Sequence, residues 1–179
     1  MQAKNLTLIA AVALAAAFSC DKQPSAEGPQ HLQVGDSVPE FQVVTITGQT
    51  VSNNTLEGKR SLVIFFSTTC PDCHEQLPYA NKAMKVTGSG MNFIAVARDE
   101  GPEAVASFWK QAKLSIPVAA PGDRAVYDLF DRGSGTGVPQ VYILDKDGTV
   151  VDFSDDKKLM DVARILGPGY EIEDIHMDM

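Results

Sequence analysis

Three runs of apolar residues, each of strand length, are the strongest structural signal in the chain. Residues 61–66 (SLVIFF) and 91–97 (MNFIAVA) are almost continuously apolar, a pattern typical of strands that are buried on both faces of a sheet. Residues 116–119 form a shorter candidate strand. The chain is therefore expected to build its core around a sheet whose inner strands have no solvent-exposed face.

Two hairpins are predicted from apolar segments that flank turn residues. Residues 41–46 (FQVVTI), the turn at 47–50 and Val51 predict a hairpin near the start of the domain. A second hairpin is predicted near its end, where Gly148 suits the positive φ that a tight turn requires. Its strands are expected at 140–144 and 149–153, and its turn at 145–148.

Helical periodicity fills the segments between the strands. One helix is expected to begin at Pro71, because proline suits the first helical position and periodic apolar residues follow it. Three further helices are predicted at residues 103–113, 124–130 and 155–166. Pro102 would open the first of these helices, and Ser154 would cap the last. The alternation of strands and helices predicts an α/β fold with a mostly parallel inner sheet, closed by an antiparallel hairpin.

The two ends of the chain differ in composition from the part between them. The first 19 residues carry one lysine and then an uncharged Ala- and Leu-rich run, which predicts a bacterial secretory signal peptide rather than a membrane-spanning helix. The following Cys20 resembles the cysteine at which lipoprotein signals are cleaved and acylated, and ordinary cleavage near Cys20 is the alternative. The predicted divisions are a signal peptide (1–19), a polar tether (20–30), one domain (31–167) and an acidic tail (168–179).

Composition narrows the classes of function. The chain has 15 Lys and Arg against 23 Asp and Glu, and the formal charge of −8 argues against nucleic-acid binding. The 3 cysteines are too few for a disulfide scaffold. With Cys20 assigned to the leader, Cys70 and Cys73 are the candidates for chemistry.

The segment Cys70-Pro71-Asp72-Cys73 follows a predicted buried strand and opens a predicted helix. The unpaired N–H groups of the first helical turn would stabilise a thiolate at Cys70. Such a thiolate could attack a disulfide of another protein and form a mixed disulfide, which Cys73 would then resolve. Asp72 places a negative charge between the cysteines, which disfavours the thiolate and favours a role as a reductant.

The same pair fits three other patterns. Followed by His74 it satisfies C-x-x-C-H, the attachment pattern of c-type haem, although that pattern is not expected behind a buried strand. A structural disulfide closing so short a loop would add little stability. A zinc site would need two further ligands, and those available are Cys20, His31, His74 and His176. Redox chemistry that needs no metal and no cofactor is the favoured interpretation.

Five segments of the chain resemble one family. They are VGDSVPEF near the start, LEGKRSLVIFF before the pair, CPDC with Pro78 beyond it, IAVARDE after the second predicted strand and GVPQVYILDKDGTVV near the end. These segments are similar to the thioredoxin superfamily, and specifically to membrane-tethered TlpA/ResA-like thiol:disulfide oxidoreductases in the branch related to alkyl hydroperoxide reductase and thiol-specific antioxidants. The resemblance implies a thioredoxin-like fold, with a central mixed sheet flanked by helices, an N-terminal hairpin and an inserted βα segment.

The resemblance also implies roles and partners. Pro139 is the candidate for the family's cis proline, which faces the active disulfide, and the preceding Gly137 and Val138 are candidates for binding an extended substrate. Cys70 would be the nucleophile and Cys73 the resolving thiol. The implied partners are protein disulfides, such as those of apocytochrome c or misoxidised exported proteins, and a transmembrane thiol relay of the DsbD/CcdA kind. The implied location is the periplasmic side of the bacterial envelope, with a lipid anchor.

Three positions depart from the family pattern. Ile64 stands where thioredoxins carry a buried Asp, and Gln76 stands where ResA-like members carry a Glu, so neither can accept a proton. Thr69 replaces the usual aromatic residue before the pair. Water or His74 would have to take over the proton transfer, although an exposed histidine in a first helical turn needs no such role.

Two rival functions are weighed against the oxidoreductase. A thiol-dependent, peroxiredoxin-like peroxidase would be expected to carry Pro and Thr where Val63 and Ser67 stand. A non-catalytic lipoprotein binding module would leave the intact C-x-x-C unexplained. The charged run from Arg98 to Glu100 ends a predicted strand, is typical of a surface loop and is assigned no role.

Overall fold

The structure is a computed structural model, and it describes residues 30–170. The predicted signal peptide, the lipidation site Cys20, all but the last residue of the tether and residues 171–179 of the acidic tail lie outside the described residues.

The predicted N-terminal hairpin is confirmed as an antiparallel pair of strands, β1 (Gln42–Val44) and β2 (Thr50–Ser52). It is followed by a short helix that the sequence did not predict, α1 (Asn53–Leu56). The hairpin is joined to the main sheet by a hydrogen bond of 2.8 Å from the Ile46 N–H to the Val118 carbonyl. It therefore covers the edge of the main sheet, which would otherwise present unpaired backbone groups.

The main sheet has five strands, which lie in the spatial order β5-β4-β3-β6-β7. In chain order they are β3 (Ser61–Phe66), β4 (Asn92–Ala97), β5 (Val118–Ala119), β6 (Gln140–Leu144) and β7 (Val150–Ser154). The helices are α2 (Pro71–Thr87), α3 (Pro102–Gln111), α4 (Ala125–Asp131) and α5 (Val162–Leu166), with a 3-10 turn at Gly88–Gly90.

The sheet is mixed, and this determines where the functional segments meet. Strands β3, β4 and β5 are parallel to one another, whereas β6 runs antiparallel to β3 and forms a hairpin with β7, which confirms a mostly parallel inner sheet closed by an antiparallel hairpin. Because β6 runs against β3, its first residue, Gln140, pairs with Phe65 at the end of β3. The segment before β6 and the segment after β3 therefore lie at the same end of the sheet.

Aromatic side chains fill the core on both faces of β3, all of whose residues are buried. Phe65 makes edge-to-face contacts with Tyr127 and Phe130 of α4 and with Tyr142 of β6. On the opposite face, Phe66 lies against Trp109 of α3, with ring centroids 5.0 Å apart. Consecutive residues of one strand thus hold helices on opposite faces of the sheet, and the α/β fold with a thioredoxin-like arrangement is confirmed.

The predicted helix at 155–166 is wrong over its first half. Helix α5 begins only at Val162, and its N-cap is Asp161, whose carboxylate accepts the Arg164 N–H at 2.8 Å, rather than Ser154. The Ser154 hydroxyl instead donates to the Lys158 carbonyl. These contacts hold the segment before α5 in turns, which local propensity alone did not predict.

Gln76 of α2 fixes the end of this segment. Its amide donates to the Met160 carbonyl at 2.8 Å and accepts the Met160 N–H at 2.7 Å, and the side chain is fully buried. One glutamine thereby satisfies both backbone polar groups of a residue that has no partner in a helix or strand. Gln76, at the position where ResA-like members carry an acid, therefore has a structural role in this chain: it binds the backbone of Met160.

Replacing Gln76→Met is expected to lower the free energy of unfolding by roughly 2–3 kcal/mol, because methionine keeps the length of the side chain but leaves the Met160 groups buried without partners. Urea unfolding would measure the loss. The matched control is Gln111→Met, since Gln111 is exposed and its side chain bonds to the Ser107 hydroxyl on the same helix. Equal stability of the two variants would contradict the role given to Gln76.

Candidate active site

The two cysteines occupy different positions at the junction of β3 and α2. Cys70 is the N-cap of α2, and its sulfur accepts the Cys73 N–H at 3.4 Å. Pro71 is the first residue of the helix and Asp72 lies exposed in its first turn. Cys70 is partly exposed whereas Cys73 is fully buried. The geometry therefore provides one sulfur that a partner can reach and a second sulfur beneath it.

Burial raises the pKa of the Cys73 thiol, and the hydrogen bond with Cys70 raises it further. The negative charge of Asp72 contributes in the same direction. Cys73 is therefore held as a neutral thiol at neutral pH.

The segment before β6 lies directly opposite the cysteine pair. The Val138–Pro139 peptide bond is cis, and the Cys70 thiol lies 3.1 Å from the Val138 carbonyl oxygen, to which it donates. Gly137 lies close to Asp156, since a Cβ at Gly137 would stand 3.0 Å from a carboxylate oxygen of that exposed side chain. The structure thus brings Cys70 together with Val138 and Pro139, although they lie far apart in the chain.

The two positions of the family's proton acceptors are occupied by groups that cannot serve as one. Ile64 is fully buried in β3, and both polar atoms of Gln76 are used by Met160. His74 is exposed at the first turn of α2 and its ring stacks on Phe108 at 5.0 Å.

Glu100 belongs to the charged run after β4, to which the sequence motifs assign no role, yet it contacts the loop before the cysteine pair. Its carboxylate accepts hydrogen bonds from both the backbone N–H and the hydroxyl of Thr68, the former at 2.7 Å. Thr68 lies two residues before Cys70 in the chain. Because β3 and β4 are parallel, the loops that follow them lie at the same end of the sheet. The position of Glu100 after β4 could therefore have indicated a contact with the loop after β3.

A buried polar network lies behind the segment that contains the cis proline. The carboxylate of Asp131 is only 1% exposed and accepts hydrogen bonds from Ser134 at 2.6 Å, Gln140 at 2.9 Å and the Gly135 N–H at 3.3 Å. Gln140 also accepts the Tyr142 hydroxyl at 2.7 Å. The network joins α4, the loop before Pro139 and the start of β6, so it fixes the backbone that faces Cys70.

The hydrogen bonds to Asp131 decide its ionisation. Desolvation by burial acts to raise the pKa of this carboxyl, but the donors Ser134, Gln140, Gly135 and Tyr127 outweigh it and hold the pKa below its ordinary value. Asp131 therefore remains a buried carboxylate whose charge is compensated by donors.

A metal site and a membrane-spanning helix each have structural requirements, which can be compared with the described residues. Between residues 30 and 170, no three His, Cys, Asp or Glu side chains cluster in a way that could hold a metal ion. Within the same range, no helix has both the length and the apolar character required to cross a membrane.

A cysteine pair that begins a helix after a buried strand and faces a cis proline defines the class of thioredoxin-fold thiol:disulfide oxidoreductases. The chain belongs to the redoxin family, whose sequence profile matches residues 33–159. The resemblance inferred from the sequence motifs is thereby confirmed.

Individual relatives point to the same activity. The chain is 32% identical over 124 residues to a thiol-disulfide oxidoreductase ResA of Bacillus cereus, an alignment that covers 69% of this chain and 70% of that protein. It is 28% identical to the ResA protein of Bacillus subtilis, with 69% and 68% of the two chains covered. The activity shared with these relatives is thioredoxin-like thiol:disulfide oxidoreduction, so the sequence-based assignment as an enzyme of this type is confirmed.

Solved structures resemble the fold. The crystal structure of a thiol:disulfide interchange protein of the thioredoxin family from Chlorobium tepidum TLS has a TM-score of 0.58 and 26% identity to this chain. The match covers 78% of this chain and 95% of the other. The similarity therefore extends over almost the whole of that domain.

Asp131 generates a prediction with a defined pH dependence. Because its pKa is lower in the folded chain than in the unfolded chain, its stabilisation is complete above the unfolded value of about 3.9 and is lost as the pH falls through the folded value. Asp131→Asn is expected to lower the free energy of unfolding by about 1–3 kcal/mol at pH 7. The difference from the unchanged protein should shrink below about pH 4.

Urea unfolding at several pH values would measure this difference. Asp128→Asn is the matched control, since Asp128 lies on the same helix in an exposed ion pair with Arg124, which contributes little to stability. A loss for Asp131→Asn that is the same at pH 7 and pH 3 would contradict the assignment of the carboxylate form.

Proposed function

We propose that this protein reduces disulfide bonds of other proteins in the bacterial cell envelope, with Cys70 as the attacking thiol and Cys73 as the resolving thiol. The observation that carries the proposal is the arrangement of the pair: a partly exposed sulfur at the start of α2 and a fully buried sulfur one turn further on. An arrangement of this kind allows a partner to reach only the first sulfur.

The proposed reaction consists of two exchanges. The Cys70 thiolate attacks one sulfur of a substrate disulfide, a bond forms between these sulfurs, and the other substrate sulfur leaves as a thiolate that takes up a proton. Cys73 then attacks Cys70 as its proton passes to the departing substrate sulfur, which forms the Cys70–Cys73 disulfide and releases the second substrate thiol. The substrate gains two electrons and two protons, and the protein is oxidised by the same amount.

The backbone opposite the pair supports docking of an extended substrate. Gly137 and Val138 precede the cis Pro139, and the Val138 carbonyl already lies 3.1 Å from the Cys70 sulfur. A substrate strand that pairs with this backbone would carry its disulfide to the same place. Gly137 and Val138 are therefore the proposed substrate-binding residues.

The direction of electron flow is proposed from electrostatics. Asp72 is exposed in the first turn of α2, and its negative charge disfavours a thiolate in the pair. A pair whose thiolate is less stable has a more stable disulfide relative to its reduced form, and it therefore acts more readily as a reductant. A reductant in an oxidising compartment needs a supply of electrons, for which a transmembrane thiol relay of the DsbD/CcdA kind is proposed.

The membrane attachment is proposed from the leader. Residues 1–19 have the composition of a secretory signal, and Cys20 stands where a lipoprotein would be acylated. The polar residues that follow would serve as a tether between the lipid and the domain. The protein would then face the periplasm from a membrane surface, close to its proposed electron donor.

The cysteine roles are tested with two variants of the full chain. Cys73→Ala is expected to accumulate mixed disulfides with envelope proteins, because Cys70 can still attack but nothing releases the product. Cys70→Ala should trap almost none, and its remaining buried thiol should alkylate slowly at pH 7. Mass spectrometry of trapped complexes and of alkylated peptides would measure both effects. A better yield of complexes with Cys70→Ala would reverse the assigned roles.

The reaction class is tested with the unchanged protein. Catalytic reduction of insulin disulfides by dithiothreitol is expected, and the Cys70→Ala and Cys73→Ala variants should both lose it. Fast dithiol-dependent consumption of hydrogen peroxide would instead indicate a peroxidase. A Soret absorption band in the purified protein would instead indicate c-type haem and overturn the proposal.

The lipid anchor is tested by Cys20→Ala, which is expected to move the protein from the membrane fraction to the soluble periplasmic fraction, because the acyl chains that hold it could not be attached. Fractionation followed by immunodetection would measure the distribution. Cys70→Ala serves as a control for the loss of a cysteine elsewhere in the chain. A Cys20→Ala protein that still sediments with membranes would show that the anchor lies elsewhere.

A further inference from the structure

Three residues, Ser67 to Thr69, connect the end of β3 to Cys70 and determine where that cysteine stands. The Cys70 N–H donates to the Ser67 carbonyl at 3.2 Å, and the hydroxyls of Ser67 and Thr69 lie 3.1 Å apart. The backbone of Ser67 also makes a hydrogen bond with Cys73, and the middle residue, Thr68, binds two side chains outside the connection.

Glu100, in the loop that follows β4, binds Thr68. One carboxylate oxygen accepts the Thr68 N–H at 2.7 Å and the other accepts the Thr68 hydroxyl. The adjacent Asp99 pairs with Arg98 at 3.1 Å. Both oxygens of Glu100 are thus directed at one residue of the connection, which fixes its position and its orientation together.

His74 binds Thr68 from the other side. Its Nε2 lies 2.7 Å from the Thr68 carbonyl oxygen, and because a carbonyl only accepts, Nε2 carries the proton and donates. The His74 ring also stacks on Phe108 of α3. All three polar groups of Thr68 are therefore bound, two by Glu100 after β4 and one by the first turn of α2.

We propose that Glu100 is a positioning residue for the redox reaction, which holds Cys70 at the start of α2 through its two hydrogen bonds to Thr68 and not through its charge. The inference rests on the proposed role of Cys70 as the nucleophile. A carboxylate acting by charge alone would disfavour the Cys70 thiolate. A carboxylate acting through geometry keeps the Cys70 sulfur 3.4 Å from the Cys73 N–H, a donor of the kind that stabilises an attacking sulfur at a helix start.

Two substitutions separate these effects. Glu100→Gln removes the charge but can keep both contacts, since its carbonyl can accept the Thr68 N–H and its amide can donate to the Thr68 hydroxyl. Glu100→Ala removes the charge and both contacts. In Glu100→Ala we expect Cys70 to alkylate about tenfold more slowly at pH 7. A factor of this size corresponds to the loss of one hydrogen bond from a backbone N–H to the Cys70 thiolate. Glu100→Gln should alkylate as fast as the unchanged protein or faster.

The measurements are the alkylation rate of Cys70, followed separately from Cys73 by peptide mass spectrometry, and the reduction potential against glutathione. The potential of Glu100→Ala should become more negative, because its thiolate is less stabilised, while that of Glu100→Gln should not. Thr68→Val, which loses only the hydroxyl contact, should be slowed by a smaller factor, and it keeps the test available if Glu100→Ala does not fold. Glu103→Gln, at an exposed acid in the first turn of α3, is the control for loss of charge and should leave the rate unchanged.

The outcomes are distinct. Equal acceleration in Glu100→Gln and Glu100→Ala would show that the residue acts by charge and would overturn the proposal. Unchanged rates and potentials in both variants and in Thr68→Val would also overturn it. If Cys70 in the unchanged protein alkylates more slowly than Cys73, the proposed function fails instead, independently of Glu100.

Discussion

The antiparallel pairing of β6 with β3 is the constraint on which the site depends. Because Gln140 pairs with Phe65, the residues before β6 and the residues after β3 lie at the same end of the sheet. One of these segments carries Cys70 and the other carries Val138 and Pro139. A parallel β6 would have placed the cis proline at the far end of β3, and the cysteine pair would have had no backbone opposite it.

Each segment at this end of the sheet is held in place by a carboxylate that accepts several hydrogen bonds. Asp131 fixes the loop before Pro139 from the α4 side of the sheet, and Glu100 fixes the connection before Cys70 from the end of β4. Neither segment is a helix or a strand, so neither has the regular backbone partners that would otherwise define its shape. A carboxylate suits this task because its two oxygens accept several donors at once.

The sequence was sufficient for the parts of the fold that depend on local pattern. The continuous apolar run of β3, the proline that opens α2 at Pro71 and the cysteine pair are all local signals, and the structure places them as expected. The segment before α5 was predicted wrongly because Ser154 bonds to Lys158 instead of capping a helix, and because its end is fixed by Gln76, which lies 84 positions away from Met160. Glu100 was missed for the same reason, since its partner lies 32 positions away in the chain. Contacts of this length carry no periodicity that a sequence alone reveals.

The hydrogen bonds of Gln76, Glu100 and Asp131 also bear on proton transfer at the redox pair, since the chain lacks the acids that the family carries there. Neither Ile64 nor Gln76 can take the proton of Cys73, because Ile64 is apolar and the polar atoms of Gln76 are bound to Met160. Glu100 and Asp131 do not replace those acids, since both are occupied by donors that hold backbone segments. In the proposed reaction, Cys73 would then pass its proton to the side that it shares with Cys70 and the departing substrate sulfur. The rate at which Cys73 resolves the mixed disulfide would then depend on how the bound substrate surrounds the sulfur atoms. A substrate that pairs well with the backbone at Val138 would in this way influence its own release.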